Sequence, residues 1–304
     1  MANKIPVGAA IAQAYRFAFR DFPKVLGVTW LPLAAQLALS LLMMQRATVF
    51  MTAIVNRDPS AMSQFGSVIL LYPLVLVLFT SQFAAVTQLT LGQRTVPPWF
   101  HLPLDKPVWR LIGAILVAVL ALAAIAVAFL AVGAIIIFLL RLALQASAAA
   151  KPVLALATAL LFLAAYCGLI LIAFRFLFLL APVTLAEGRV SPVRSWQLSY
   201  GNFWRMFLIT LAILVPVVIV EYGVILGAIG LPPLPHPGES RQAFEAARLA
   251  WNLQMVGAMT RYWFIALPLF GVLMVFWFGA GCSAQTFAYR HLTASAPVPR
   301  HALP

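Results

Sequence analysis

LIGAILVAVLALAAIAVAFLAVGAIIIFLL, residues 111–140, carries no charged side chain from end to end. At about 1.5 Å of rise per residue such a helix crosses a hydrocarbon core of about 30 Å with length to spare. Five further runs are comparably long and apolar: Val25–Met44, Ser67–Leu91, Pro152–Ala181, Met206–Leu231 and Tyr262–Gln285. With Leu111–Leu140 they make six. In hydrocarbon each backbone amide must find its partner inside its own segment, so runs of this length are read as helices.

Composition agrees. Apolar residues make up 64% of the 304 residues and charged ones 9%, with a mean hydropathy of +1.01. A soluble domain is roughly half apolar and a quarter charged. The predicted fold is all-α: a polytopic membrane protein in one membrane domain, residues 1–304, with six transmembrane helices arranged as three consecutive helical hairpins. The segments are an interfacial helix over 8–24, hairpins over 25–91 and 111–181, a second interfacial helix over 190–205, a third hairpin over 206–285 and a cytoplasmic tail over 286–304.

The net charge is +13. A nucleic-acid binder gathers such charge into one patch with interleaved aromatics. Here Lys and Arg fall between the apolar runs, where topology signals and lipid contacts belong, so nucleic acid is not expected as a partner. With the N-terminus cytoplasmic, the inner segments hold 12 of the cations and the outer ones 7. That bias places both termini inside. The first apolar run begins only near Val25 and is too long for a signal-peptide core, so insertion through uncleaved spans is expected. Cys167 and Cys282 both lie within spans and suggest neither a disulfide framework nor a metal site.

Three segments open hairpins in the same way. They are Asp21-Phe22-Pro23-Lys24, Asp105-Lys106-Pro107-Val108-Trp109-Arg110 and Asn202-Phe203-Trp204-Arg205. Each begins with an Asp or Asn suited to capping a helix N-terminus and continues into a cation. The first and third also align at an offset of 181: Tyr15 with Trp196, Phe19 with Tyr200, Asp21 with Asn202, Lys24 with Arg205. Before the first, Val7, Ile11, Tyr15, Ala18 and Phe22 recur at helical spacing opposite Gln13, Arg16, Arg20 and Lys24. Before the third, Ser191-Pro192 reads as a helix start, Val193, Trp196, Tyr200 and Trp204 form a stripe, and Gly201 is a stop. Aromatic, Arg-bearing helices of this kind suit the headgroup layer. Beyond the Pro-rich stretch after Leu231, residues up to 261 predict a short surface helix, and 50–55 extend the first span toward an Arg57-Asp58-Pro59 turn.

RFLFLLAPVTLAEGRVSPVRSWQLSYGNFWR, residues 175–205, places an Arg late in a span, then Ala181-Pro182, a Glu187-Gly188 turn, a Ser-bearing helix with Ser195, and Gly201-Asn202-Phe203-Trp204-Arg205. This pattern resembles the YciC-like inner-membrane proteins and the six-span domain fused to some bacterial glycerophosphodiester phosphodiesterases. The resemblance implies the fold and a bacterial inner membrane as the location. It carries over no chemistry, because this sequence has no phosphodiesterase catalytic domain.

Two ionisable groups lie inside spans, Arg175 and Glu221. A charge at mid-bilayer costs about 2.5–3.5 kcal/mol on insertion scales, so such residues have a partner or a role. Arg175 either anchors the structure, holding the Glu187 turn or helix-end carbonyls, or binds a lipid headgroup. Glu221 is too far from Arg175 to pair with it. Arg141, Lys151 and Arg261 are the expected partners, and a functional carboxylate is the alternative. Gly223 and Gly227 are spaced for close helix packing, within the bundle or in a dimer. His101, His236, His291 and His301 are not spaced as metal ligands, and no nucleotide or hydrolase motif is present. The sequence therefore predicts no catalytic residue, no metal and no cofactor. It reads as a non-enzymatic, lipid-contacting scaffold or accessory protein, touching anionic headgroups of the inner leaflet, with a protein partner or homodimer left open. A transporter or permease component moving a small solute or lipid is the rival.

Overall fold

Every element among the described residues is helical, and no strand is present there. The structure, a computed structural model, describes residues 4–55, 63, 65–66, 69–93, 104–143, 150–234 and 240–294. In chain order the helices are α1 (Val7–Arg20), α2 (Phe22–Val55), α3 (Tyr72–Thr90), α4 (Lys106–Ala143), α5 (Ala150–Leu177), α6 (Leu180–Glu187), α7 (Pro192–Leu198), α8 (Phe203–Ile229), α9 (Arg241–Arg261) and α10 (Trp263–Thr293). Six stretches are long and apolar enough to cross a membrane: Phe22–Arg46, Tyr72–Thr90, Lys106–Leu140, Leu154–Glu187, Phe203–Gly227 and Phe264–Thr293. The chain is an all-α polytopic membrane protein.

Consecutive spans pack as hairpins, α2 on α3 and α4 on α5. The third pair, α8 and α10, also touches, but α10 lies against α1, α2 and α3 as well. It therefore ties the third hairpin to the first. Thr90 and Thr286 share a 2.7 Å hydroxyl hydrogen bond across the α3–α10 contact.

Several boundaries differ from the sequence expectation. The fourth span does not run unbroken to Ala181. Helix α5 ends at Leu177, and α6 starts at Leu180. Pro182 has no N–H for the Phe178 carbonyl and its ring crowds that carbonyl, so the ladder cannot pass through. The interfacial segment over 8–24 divides at Asp21. The segment over 190–205 is helical only from Pro192 to Leu198, then turns at Gly201 (φ +73°) into α8. Residues 286–293 are not tail but the last two turns of α10. Residues 295–304, the Arg57-Asp58-Pro59 turn, and the positions of Arg94, His101, His236 and His301 lie outside the described residues. The extension of the first span to Val55 and the helix before Arg261 are present.

The buried core gathers at one end of the bundle. One cluster joins Ile5, Ala10, Ala14 and Ala18 to Met206, Ile209, Ala280 and Ala284. A second holds Val25, Val28, Ala85, Val86, Phe278 and Cys282. A third holds Ala84, Val108, Leu111 and Ala181. Away from this end, Leu120 and Leu130 of α4 and Phe162 and Tyr166 of α5 are exposed. Apolar surface facing hydrocarbon costs nothing, so spans need not close on each other along their whole length.

Helix α1 buries the side the periodicity suggested, with Val7, Ile11, Tyr15 and Phe22 half-buried, Gln13, Arg16, Arg20 and Lys24 exposed, and alanines at its centre. Ala10, Ala14 and Ala18 are its buried residues, and Phe19 is 70% exposed. Small side chains let the backbones approach, and a Cβ on Gly279 of α10 would lie 3.5 Å from the Ala18 Cα. Helix α1 is thus seated on α8 and α10. The offset of 181 gains a structural counterpart here. It carries Ala14 onto Ser195 and Ala18 onto Ser199, and all four are buried. Asp21 (φ −102°, ψ 15°) and Asn202 (φ −117°, ψ 8°), aligned by the same offset, share one backbone conformation at the two helix joints.

Candidate functional site

Helix α7 carries the region where the sequence pattern and the buried charge meet. Arg175 stands in the last turn of α5, where carbonyls have no helical donors left. Serines of α7 supply them. Ser195 Oγ donates to the Phe176 carbonyl at 2.9 Å and lies 3.4 Å from that of Arg175. Ser199 Oγ reaches the Trp196 carbonyl at 2.8 Å and that of Arg175 at 3.3 Å. The Arg175 guanidinium crosses the same contact. Its Nε donates to Ser199 Oγ at 3.4 Å and its Nη2 to the Trp196 carbonyl at 3.3 Å. The guanidinium carbon lies 3.7 Å from the Trp196 ring centre and 5.4 Å from that of Tyr200. A cation over an aromatic face is attracted by the ring quadrupole, and arginine's flat fork suits this best. Of the two structural partners considered for Arg175, the helix-end carbonyls are the ones it meets.

The Glu187 turn is held by other arginines. Glu187 Oε2 accepts from Arg189 Nε and Nη2 at 3.1 and 3.0 Å, and Oε1 accepts from Arg194 Nε at 3.4 Å. Gly188 closes α6 with φ +66°, a conformation strained for any residue with a Cβ. A Cβ there would also stand 3.5 Å from Arg110 Nη1. Ala181 and Pro182 are buried, Ala181 in the cluster it forms with α4.

Asn202 does not cap α8 with its side chain, contrary to the capping expectation. Its Oδ1 accepts the Ile5 N–H at 3.0 Å, while Arg205 Nη1 donates to the Ile5 carbonyl at 2.7 Å. Two side chains one helical turn apart thus take both backbone groups of one buried residue. Asp21 and Lys24, their aligned counterparts, pair with each other instead. Phe203 stacks edge-on against Phe174 of α5 at 5.9 Å and Trp204 at 5.1 Å.

The other face of this end is open. Trp109, Tyr200 and Trp204 are 56%, 69% and 69% exposed. Lys106, Arg189, Arg16 and Arg20 are exposed as well. Of the stripe Val193, Trp196, Tyr200 and Trp204, Trp196 is half-buried under Arg175 and the other three face outward, while Ser195 and Ser199 are buried.

Glu221 lies elsewhere, on α8 beside a crevice shared with α2 and α10. It forms no ion pair among the described residues. Arg261 instead holds its guanidinium 5.7 Å from the Tyr262 ring, and the side chains of Arg141 and Lys151 lie outside the described set. Gly223 and Gly227 meet no atom within 4 Å of a Cβ, so among the described residues they serve no close helix contact. No group of three His, Cys, Asp or Glu converges among the described residues.

Sequence reasoning missed Gln36 and Gln82, joined side chain to side chain between α2 and α3 at 2.5 Å. Two amides in facing apolar spans are the available signal. It also missed Tyr15, whose hydroxyl donates to the Ala212 carbonyl at 2.7 Å. The signal was Pro216, which leaves that carbonyl without its helical donor.

Comparison with family models, with curated proteins and with solved structures gives no match to this chain.

Proposed function

We propose that this protein is a non-enzymatic, lipid-contacting scaffold or accessory component of a bacterial inner membrane, related to the YciC-like proteins and holding both termini in the cytoplasm. One observation carries the reading. The end bearing α1, α6 and α7 combines a sealed core with an outward shelf of Tyr200 and Trp204, and Trp109, Arg16, Arg20 and Arg189 are exposed too. Aromatics with an apolar body and a polar edge favour the headgroup layer. Each cation near an anionic surface adds about 1 kcal/mol of attraction. The excess of cations on the same side supports the orientation.

The interior also favours a scaffold over a transporter. A cavity of about 80 Å³ lies inside the packed end, lined by Thr210 and Gln285 among Phe83, Phe178 and Ile213. The larger crevices, of about 640 and 410 Å³, are apolar; the first runs along the α2–α10 contact from Phe22 to Leu41, and the second lies between α8, α9 and α10. Among the described residues no polar cavity joins the two ends.

The test is native mass spectrometry of protein purified from membranes holding both phosphatidylglycerol and phosphatidylcholine. Retention of the anionic lipid, reduced in a Trp109→Ala, Tyr200→Ala, Trp204→Ala variant of unchanged thermal stability, is the expected result. Equal retention of both lipids sinks the headgroup reading. Solute uptake into proteoliposomes would replace it with the transporter.

A further inference from the structure

The crevice beside Glu221 presents a carboxylate and two other polar side chains at one point and apolar side chains elsewhere. It measures about 230 Å³ and is lined by Gln36, Ser40 and Met44 of α2, Glu221 of α8 and Phe270 of α10. It shares Leu33, Leu37, Leu41 and Leu267 with the crevice of about 640 Å³ that follows the α2–α10 contact past Trp30. Together they form a slot with a polar corner, and the larger part lies within the roughly 300–1,000 Å³ of small-molecule sites.

The polar corner has a definite sense. Ser40 Oγ spends its hydrogen on the Gln36 carbonyl at 2.8 Å, so its remaining capacity is to accept. Gln36 Oε1 accepts from Gln82 Nε2 at 2.5 Å, which turns the amide oxygen toward α3 and leaves the Gln36 Nε2 as the one donor of the corner. Gln82 itself is fully buried. The Glu221 carboxylate only accepts when ionised, and no described cation pairs with it. The ionised carboxylate therefore repels an anion. A bare metal ion is poorly served, because one carboxylate stands without other His, Cys, Asp or Glu groups among the described residues. A head with several N–H donors and one positive charge, on a hydrocarbon chain, satisfies both parts of the slot.

We infer that this slot binds a membrane amphiphile with a primary-ammonium head, the head against Glu221 and Ser40 and the chain along the α2–α10 contact. The site lies away from the α7 shelf and does not depend on lipid contact there. Trp30 lines the chain-binding part and reports on it.

The experiment uses the full chain in neutral maltoside micelles. A terminally brominated dodecylamine is titrated while tryptophan fluorescence is followed, with the equally brominated dodecanol as the uncharged reference. Saturable quenching by the amine, lost in Trp30→Phe, is expected. Its affinity should exceed that of the alcohol by roughly tenfold, the size of one charge-assisted hydrogen bond. Glu221→Gln should bring the amine down to the alcohol. Equal affinity of the two compounds, or an amine affinity untouched by Glu221→Gln, overturns the inference. Should Glu221→Gln not fold, Leu37→Phe fills the slot, adds no tryptophan and leaves the carboxylate in place. Loss of amine quenching then supports the site and undiminished quenching overturns it. Butylammonium, a head without a chain, should not compete. Competition would assign the corner to a water-soluble amine and overturn the amphiphile.

Discussion

Tyr15 of α1 donates its hydroxyl to the Ala212 carbonyl of α8, the acceptor that Pro216 leaves without a helical partner. A helix interrupted by proline inside a membrane protein must satisfy the freed carbonyl from elsewhere. Here the donor comes from a helix that lies 197 residues earlier. The proline and the seating of α1 are therefore energetically one feature.

Tyr15→Phe should destabilise the protein by about 1–3 kcal/mol, the cost of leaving a buried acceptor unmet. Pro216→Ala restores the backbone donor. In that background Tyr15→Phe should cost clearly less, as read by unfolding in detergent. Equal costs in the two backgrounds would show that the hydroxyl and the proline are independent.

The Ile5 clamp should behave differently from its aligned counterpart. Asn202→Ala strands a buried N–H and should cost about 1–3 kcal/mol. Hydrogen exchange over residues 4–20 should rise with it. Asp21→Asn breaks a pair whose lysine is 58% exposed, and exposed pairs are worth about 0–1 kcal/mol. A larger loss for Asp21→Asn than for Asn202→Ala would reverse the assignment.

Arg175 is held by a fork and a ring, so charge alone should not replace it. Arg175→Lys keeps the cation but loses the planar stacking on Trp196. Both Arg175→Lys and Trp196→Ala should lower the melting temperature, and the double variant should lose less than the two losses combined. Full additivity would mean that the 3.7 Å stacking contributes nothing.

Leu130 of α4 is 59% exposed. In water Leu130→Arg would be harmless. In hydrocarbon it should cost about 2.5–3.5 kcal/mol of insertion free energy. A glycosylation-reporter insertion assay on α4 should show the drop. An unchanged insertion efficiency would place this face against water.

Much of the architecture is legible in the sequence because hydrocarbon acts on each residue separately. Residues 111–140 are a span wherever their neighbours lie, since length and the absence of charge decide it. Even the break at Phe178 has a local cause in Pro182. The 175–205 stretch announced itself through Arg175, Glu187 and Asn202. Their partners were not legible, because Ser199, Arg194 and Ile5 become partners only through the turns at Gly188 and Gly201.

The sequence by itself determined the solvent and the six spans, because hydropathy and the absence of charge act segment by segment. Tertiary structure alone decided that α1 buries alanines, that Asn202 holds Ile5 instead of capping its own helix, and that Glu221 faces a slot. Those outcomes depend on which hydrogen-bonding groups arrive opposite one another, and residues nearly 200 positions apart meet only when the helices pack.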